Sequence, residues 1–299
     1  MKKTIFDSNS EKIYYKRLFT RWNNYVNIYP QIPVRNVIGY NKLKKLCISD
    51  KAKKYLQETS FDYVVCDKEY VPILVIEFDG IGGGFSKNGE YIPNFIPTDA
   101  PYRKLKLETK LKVCNLNSTP MVVVSFKECD FLKESQDLLS VIDVLIGEAI
   151  ERNHYKNNYS KYNKCLSEAI EKGSDALEAV EMEIDMMLDF ANPVKRKIYK
   201  ITKKFPFWVE QIIIPYENKD YISGTFRLIS GLKLTPGKKQ EKRLVSVNIS
   251  IRNVGFWDNM ISVFNTIGEY CLAKKTYEEL GTDQEKWRKR FDDAIWVDL

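Results

Sequence analysis

The run Val71-Pro72-Ile73-Leu74-Val75-Ile76-Glu77-Phe78 constrains this chain more than any other segment. It has the length of a strand and is far too short to cross a bilayer, which takes roughly 20 apolar residues in a helix. Phe61 to Cys66 is a second apolar strand, and Asp67-Lys68-Glu69-Tyr70 between them reads as a turn, so the two form a hairpin. Glu77 interrupts the apolar series. A carboxylate inside such a strand is costly unless it is paired or bound to a cation. Strand alternation places Glu77 and Asp79 on one face, and antiparallel pairing brings Asp62 beside them. Two or three carboxylates converging at a strand end suit Mg²⁺, which takes oxygen ligands, keeps waters and accepts phosphate oxygens. The same acids also fit plain polar residues at a strand terminus, and the pattern by itself leaves both readings open.

Elements predicted around the hairpin complete an α/β unit of order α-β-β-β-α-β. Ser8-Asn9-Ser10 offers helix N-caps, with Glu11 in the first turn where a carboxylate suits the dipole. Glu11, Tyr15, Leu18 and Trp22 then share one helical face. Tyr25 to Ile38 reads as extended, and Lys42 to Gln57 as a basic helix. Gly80 to Pro97, with Gly82-Gly83-Gly84, reads as a loop without the spacing of a nucleotide-binding turn. A helix capped by Asp99 is expected to run to about Asn115, followed by the strand Met121 to Phe126. On that helix Arg103, Lys106 and Lys110 fall at i, i+3 and i+7, with Lys104 beside them, a cationic stripe next to an apolar face. A solvated amphipathic helix accounts for the stripe equally well.

Beyond residue 130 the pattern changes. Residues 131–192 are acidic and helical, and 193–299 mix two-residue alternation with a last long helix, Trp257 to Leu280, giving an α+β domain. The expected organisation is therefore 1–130, 131–192 and 193–299. Met182, Met186 and Met187 are expected to pack in a core, as methionine commonly does. His154, the one histidine, is expected on a surface loop. The tryptophans and the segment Lys286 to Arg290 fit either core packing and surface charge or contacts with bases and phosphates.

Charge follows the same division. Residues 1–130 carry 21 Lys+Arg against 14 Asp+Glu, residues 131–192 carry 6 against 13, and residues 193–299 carry 20 against 13. Two basic blocks flank an acidic one, which favours nucleic acid as a partner through phosphate neutralisation, although ordinary lysine-rich surface has the same composition. Six cysteines without a CxxC pair disfavour zinc and a disulfide framework. The N-terminus turns acidic at Asp7, unlike a secretory signal, so a cytoplasmic protein without a membrane span is expected.

From Ser10-Glu11 through Tyr29-Pro30-Gln31-Ile32, Phe61-Asp62-Tyr63-Val64-Val65 and Val75-Ile76-Glu77-Phe78-Asp79-Gly80 to Pro120-Met121-Val122-Val123-Val124, order and spacing resemble the PD-(D/E)xK nuclease superfamily, near the very-short-patch-repair endonucleases. The resemblance implies a restriction-endonuclease-like N-terminal domain with a mixed sheet. It implies Mg²⁺- or Mn²⁺-dependent hydrolysis of phosphodiester bonds in nucleic acid, DNA more than RNA, in restriction, repair or defence against mobile elements. It implies Asp62 and Glu77 as metal ligands, with Asp79 standing where the family has its lysine. Glu11 is implied as the acid of the first helix, Lys106 and Lys110 as lysines taking over from the following helix, and Arg103 and Lys104 as phosphate contacts. The alternative expectation is a catalytically inactive nuclease-fold module that binds nucleic acid or a partner protein. Homodimerisation or a partner protein engaged through the C-terminal half is a further expectation.

Overall fold

A computed structural model of the chain describes residues 5, 6, 8–46, 48–79, 100–125, 141–206, 210–217, 221–252 and 260–298. The described residues divide into two compact units, one N-terminal to Ser140 and one from Val141. Among them no helix is long and apolar enough to cross a membrane.

The first unit contains α1 (Asn9–Trp22), β1 (Asn27–Pro33), α2 (Val34–Ile38), α3 (Tyr40–Lys45), α4 (Asp50–Glu58), β2 (Ser60–Cys66), β3 (Pro72–Asp79), α5 (Ala100–Leu116) and β4 (Met121–Ser125). The strands form a four-stranded sheet in the order β1-β2-β3-β4. β1, β2 and β3 are antiparallel neighbours, and β4 lies parallel to β3. The sheet is therefore mixed, and α5 is the helix a parallel crossover needs. The β2–β3 turn is held by the Asp67 carboxylate, which accepts from the N–H groups of Glu69 and Val71.

One face of the sheet buries Val64, Val75 and Val123 with Leu43, Leu56, Val113 and Cys114 from α3, α4 and α5. α1 packs through aromatic rings: Tyr14 lies 5.5 Å from Tyr63 and 5.3 Å from Phe78, centroid to centroid. Two sequence expectations change here. The extended stretch ends at Pro33, where the chain turns into α2, and the Val34 N–H donates to the Thr59 carbonyl. The basic helix over 42–57 is two helices, because the Ser49 hydroxyl accepts from Ala52 N–H and caps a fresh start. The loop predicted over 80–97 and the cap at Asp99 lie outside the described residues.

The second unit contains α6 (Val141–Lys172), α7 (Ser174–Ala191), α8 (Pro193–Thr202), β5 (Glu210–Glu217), β6 (Tyr221–Thr235), β7 (Lys238–Arg252), α9 (Met260–Leu280), α10 (Gln284–Asp293) and β8 (Ile295–Asp298). Its four strands form an antiparallel sheet in the order β5-β6-β7-β8. The helices over 141–191, expected as a segment of their own, pack into this unit: Ser262 and Thr266 of α9 donate to the Glu148 carboxylate of α6 at 2.5 and 2.9 Å. His154 lies within α6, not on a loop. Trp287 of the Lys286–Arg290 segment is fully buried in the core formed by Phe226, Leu228, Leu244 and Phe264.

Met182, Met186 and Met187 do not pack in a core. They are 61%, 56% and 36% exposed, and Met182 and Met186 lie on the side of α7 away from buried Ile184. The buried stripe of α7 is the one that carries Ile184.

Gly268 fixes how closely α9 approaches β6. A Cβ at this position would overlap the ring of Phe226, which is fully buried and packed against Phe264. Gly268→Ala is therefore expected to destabilise the second unit by about 1–3 kcal/mol. Thermal unfolding of the variant with an unshifted midpoint would contradict this packing.

Candidate functional site

Besides the register shift at Val65/Cys66, the β1–β2–β3 ladder is interrupted at a place that is acidic. Pro30 lies opposite Tyr63 and Ile32 opposite Phe61, so Gln31 falls opposite Asp62. On the other side Tyr63 pairs with Ile76, which brings Asp62 beside Glu77. Side chains here bond to the backbone. The Asp62 N–H donates to Glu77 Oε1 at 3.3 Å, and the Phe78 N–H donates to Asp62 Oδ2 at 2.7 Å. Gln31 has a left-handed backbone (φ 55°), rare for a residue with a Cβ, and its Nε2 donates to Asp62 Oδ1 at 3.4 Å. Both oxygens of Asp62 are thus held from two strands.

Glu77 is 5% exposed. Its Oε2 accepts from Lys110 Nζ at 2.7 Å, and the same ammonium donates to the Ser60 carbonyl at 2.7 Å and lies over the Phe61 ring. Burial pushes the Glu77 carboxyl up to about 8; Lys110 pulls it down and the charge of Asp62 pushes it up again. Burial favours a neutral Lys110, but the Glu77 charge and hydrogen bond outweigh it and hold the amine above its ordinary range. The charge on each group therefore depends on the other: burial opposes both charged forms and their contact favours both. Behind it, burial and then the Glu77 charge raise the Cys114 thiol.

Glu11 enters from α1. Ser8 and Glu11 form a capping box: the Ser8 hydroxyl accepts from Glu11 N–H at 3.1 Å and donates to Glu11 Oε1 at 3.3 Å. The Tyr63 hydroxyl donates to the Glu11 carbonyl at 2.8 Å. Burial raises the Tyr63 phenol, and the charges of Glu11, Asp62 and Glu77 raise it further.

The structure thus brings Asp62, Glu77 and Lys110 into direct contact and sets Glu11 beside Tyr63. Lys106, one turn earlier on α5, lies over the ring of Tyr55, 5.7 Å from its centroid. The side chains of Asp79, Arg103 and Lys104 lie outside the described residues, although Asp79 is on β3, opposite Ser125. Gln31 was missed as a site residue. A polar side chain between Pro30 and Pro33 carried no periodic signal, and only its backbone conformation marks it. The S-x-x-E box at Ser8 was legible, and it gives Glu11 a structural task as well.

The donor chemistry fits a hard cation. Asp62 and Glu77 supply carboxylate oxygens from adjacent strands, and each oxygen has a second lone pair. Among the described residues no group of three His, Cys, Asp or Glu side chains is placed to hold a metal.

A second polar cluster lies in the other unit. Lys195 pairs with Glu151 at 3.0 Å and Asp189 at 2.8 Å, beside a cavity of about 550 Å³ that Glu269 also lines. Asn192 caps α8 and donates to Glu151 at 2.9 Å. These bonds tie α6, α7 and α8 together, which is a packing role.

Fold and site together define an α/β protein with a buried acid–lysine pair at a broken strand ladder. A family model described as "Protein of unknown function (DUF2726)" matches residues 2–90, which span α1 to β3 and hold Glu11, Gln31, Asp62 and Glu77. No curated protein and no solved structure matches the chain.

Proposed function

We propose that the first unit is a metal-dependent nuclease of PD-(D/E)xK type, hydrolysing phosphodiester bonds in nucleic acid, DNA in preference to RNA. The observation that carries this reading is the convergence of Asp62, Glu77 and Lys110 where strand pairing gives way to side-chain bonds. A buried carboxyl–lysine pair beside a half-buried carboxylate is costly to keep as structure alone.

Asp62 and Glu77 would hold Mg²⁺ or Mn²⁺. When bound, such an ion offsets charge on the scissile phosphate and acidifies a coordinated water. Lys110 keeps the Glu77 carboxylate in place and adds positive charge where the phosphate would sit. Its position on α5 takes the part of the lysine that Asp79 replaces. Lys106, Arg103 and Lys104 precede it in the sequence of the same helix and would add positive charge for a polyanion.

Gln31 is a positioning residue in this scheme, since its amide holds one oxygen of Asp62 while Phe78 N–H holds the other. Gln31→Gly relieves the left-handed backbone and is expected to keep stability within about 1 kcal/mol of wild type. It should nevertheless weaken Mn²⁺ binding about 10–100-fold, as should Gln31→Met, which keeps the shape without the amide. Calorimetry showing wild-type affinity in both variants would remove Gln31 from the site.

The second reading is an inert nuclease-fold module that recognises nucleic acid or a protein. It is favoured by the double use of Lys110, whose ammonium is already engaged by Glu77 and the Ser60 carbonyl. A panel of labelled single- and double-stranded DNA and RNA, incubated with Mg²⁺, Mn²⁺ or chelator, separates the two. Metal-dependent cleavage supports the nuclease. Binding without cleavage under every condition supports the inert module.

A further inference from the structure

α7 carries an exposed apolar stripe in an acidic frame. Met182, Met186 and Phe190 follow at i, i+4 and i+8, exposed by 61%, 56% and 63%, with Met187 beside them. The helix also carries Asp175, Glu178, Glu181, Glu183, Asp185 and Asp189, and no lysine or arginine. Its buried side faces the other way, at Ile184. The stripe therefore does not hold α7 in its unit, and an exposed run of methionines and an aromatic is a surface that can repack around a partner.

The charge decides the occupant. Nucleic acid and anionic membranes are repelled by a helix with this many carboxylates, and a second copy laid stripe to stripe would bring like charges together. A segment that is apolar on one face and basic on its flanks satisfies both parts of the surface. We propose that the α7 face docks a basic amphipathic helix of a partner protein, Met182, Met186 and Phe190 receiving its apolar residues and the flanking acids its lysines and arginines. This inference is independent of the nuclease reading.

The test uses the full chain and a tryptophan-labelled amphipathic peptide of leucine and lysine, with a scrambled peptide of the same composition beside it. The wild-type chain is expected to bind the amphipathic peptide and to bind the scrambled one at least about tenfold more weakly. Replacing Met182→Gln, Met186→Gln and Phe190→Gln together keeps every charge and touches only exposed positions. That variant should retain its circular dichroism spectrum and melting midpoint yet lose at least about tenfold in affinity. Equal binding of both peptides, undiminished binding by the triple variant, or no binding by wild type overturns the proposal. So does a dimer in sedimentation that the triple variant abolishes, because it would make a second copy the occupant.

Discussion

Asp62→Asn and Glu77→Gln are each expected to reduce metal-dependent cleavage by at least about 10²–10³-fold, with the double variant little worse than either single one. The two side chains act as a unit: Asp62 N–H bonds Glu77, and Asp62 itself is held by the Phe78 N–H from the same strand. Losing either carboxylate removes one of the two proposed ligands, and a single remaining carboxylate is expected to hold the ion too weakly for cleavage. Glu77→Gln keeps the size of the side chain and an oxygen for Lys110, and Asp62→Asn keeps an oxygen for Phe78 N–H, so both variants should fold. Cleavage rates on the preferred substrate, measured with Mg²⁺ and with Mn²⁺, give the comparison. A rigorously purified double variant that cleaves like wild type would sink the nuclease reading.

How much of this site could be read from residues alone depended on what kind of signal each residue left. Glu77 was legible because it breaks an apolar run, and Asp62 because the hairpin turn fixes its register against Glu77. Lys110 was legible only as one of three cations on a helical face. The choice between it and Lys106 needed the helix's rotation, which places Lys110 at 5% exposure and Lys106 beside Tyr55. Gln31 was not legible, since a left-handed φ in a strand leaves no mark on composition. The two-residue and 3.6-residue periods located β2, β3, β4, α6 and α9. They did not reveal α8, α10 or β8, which are short, and α8 is set by the cap of Asn192 rather than by a long apolar pattern. The methionines of α7 show the limit of periodicity most plainly. A helix with apolar residues on two sides gives the same spacing for each, and only packing tells which one is buried.

Lys110→Met is expected to cost stability in a way that grows with pH. In the wild type without metal, Glu77 keeps its proton in the folded state up to about 8, whereas the unfolded chain releases it near 4.5. Between those values folding takes up a proton, so stability falls as pH rises, by about 1.4 kcal/mol per pH unit for one proton, and the loss is complete above 8. Removing Lys110 deletes the charge and the hydrogen bond that lower the Glu77 pKa. The fall then continues past 8, so between pH 8 and 9 the gap to wild type should widen by about 1.4 kcal/mol, from a smaller gap near pH 6. Glu77→Gln cannot ionise and should remove this component of the slope. Glu148 and Glu269 in the second unit are also raised by burial and contribute the same sign, so the difference between variants isolates the pair. With both Lys110→Met and Glu77→Gln in place no charge is left unpaired, and part of the lost stability should return. Urea denaturation in chelator from pH 6 to 9 measures all four proteins. Parallel curves for wild type and Lys110→Met would mean that the ion pair at the broken ladder is not coupled to folding.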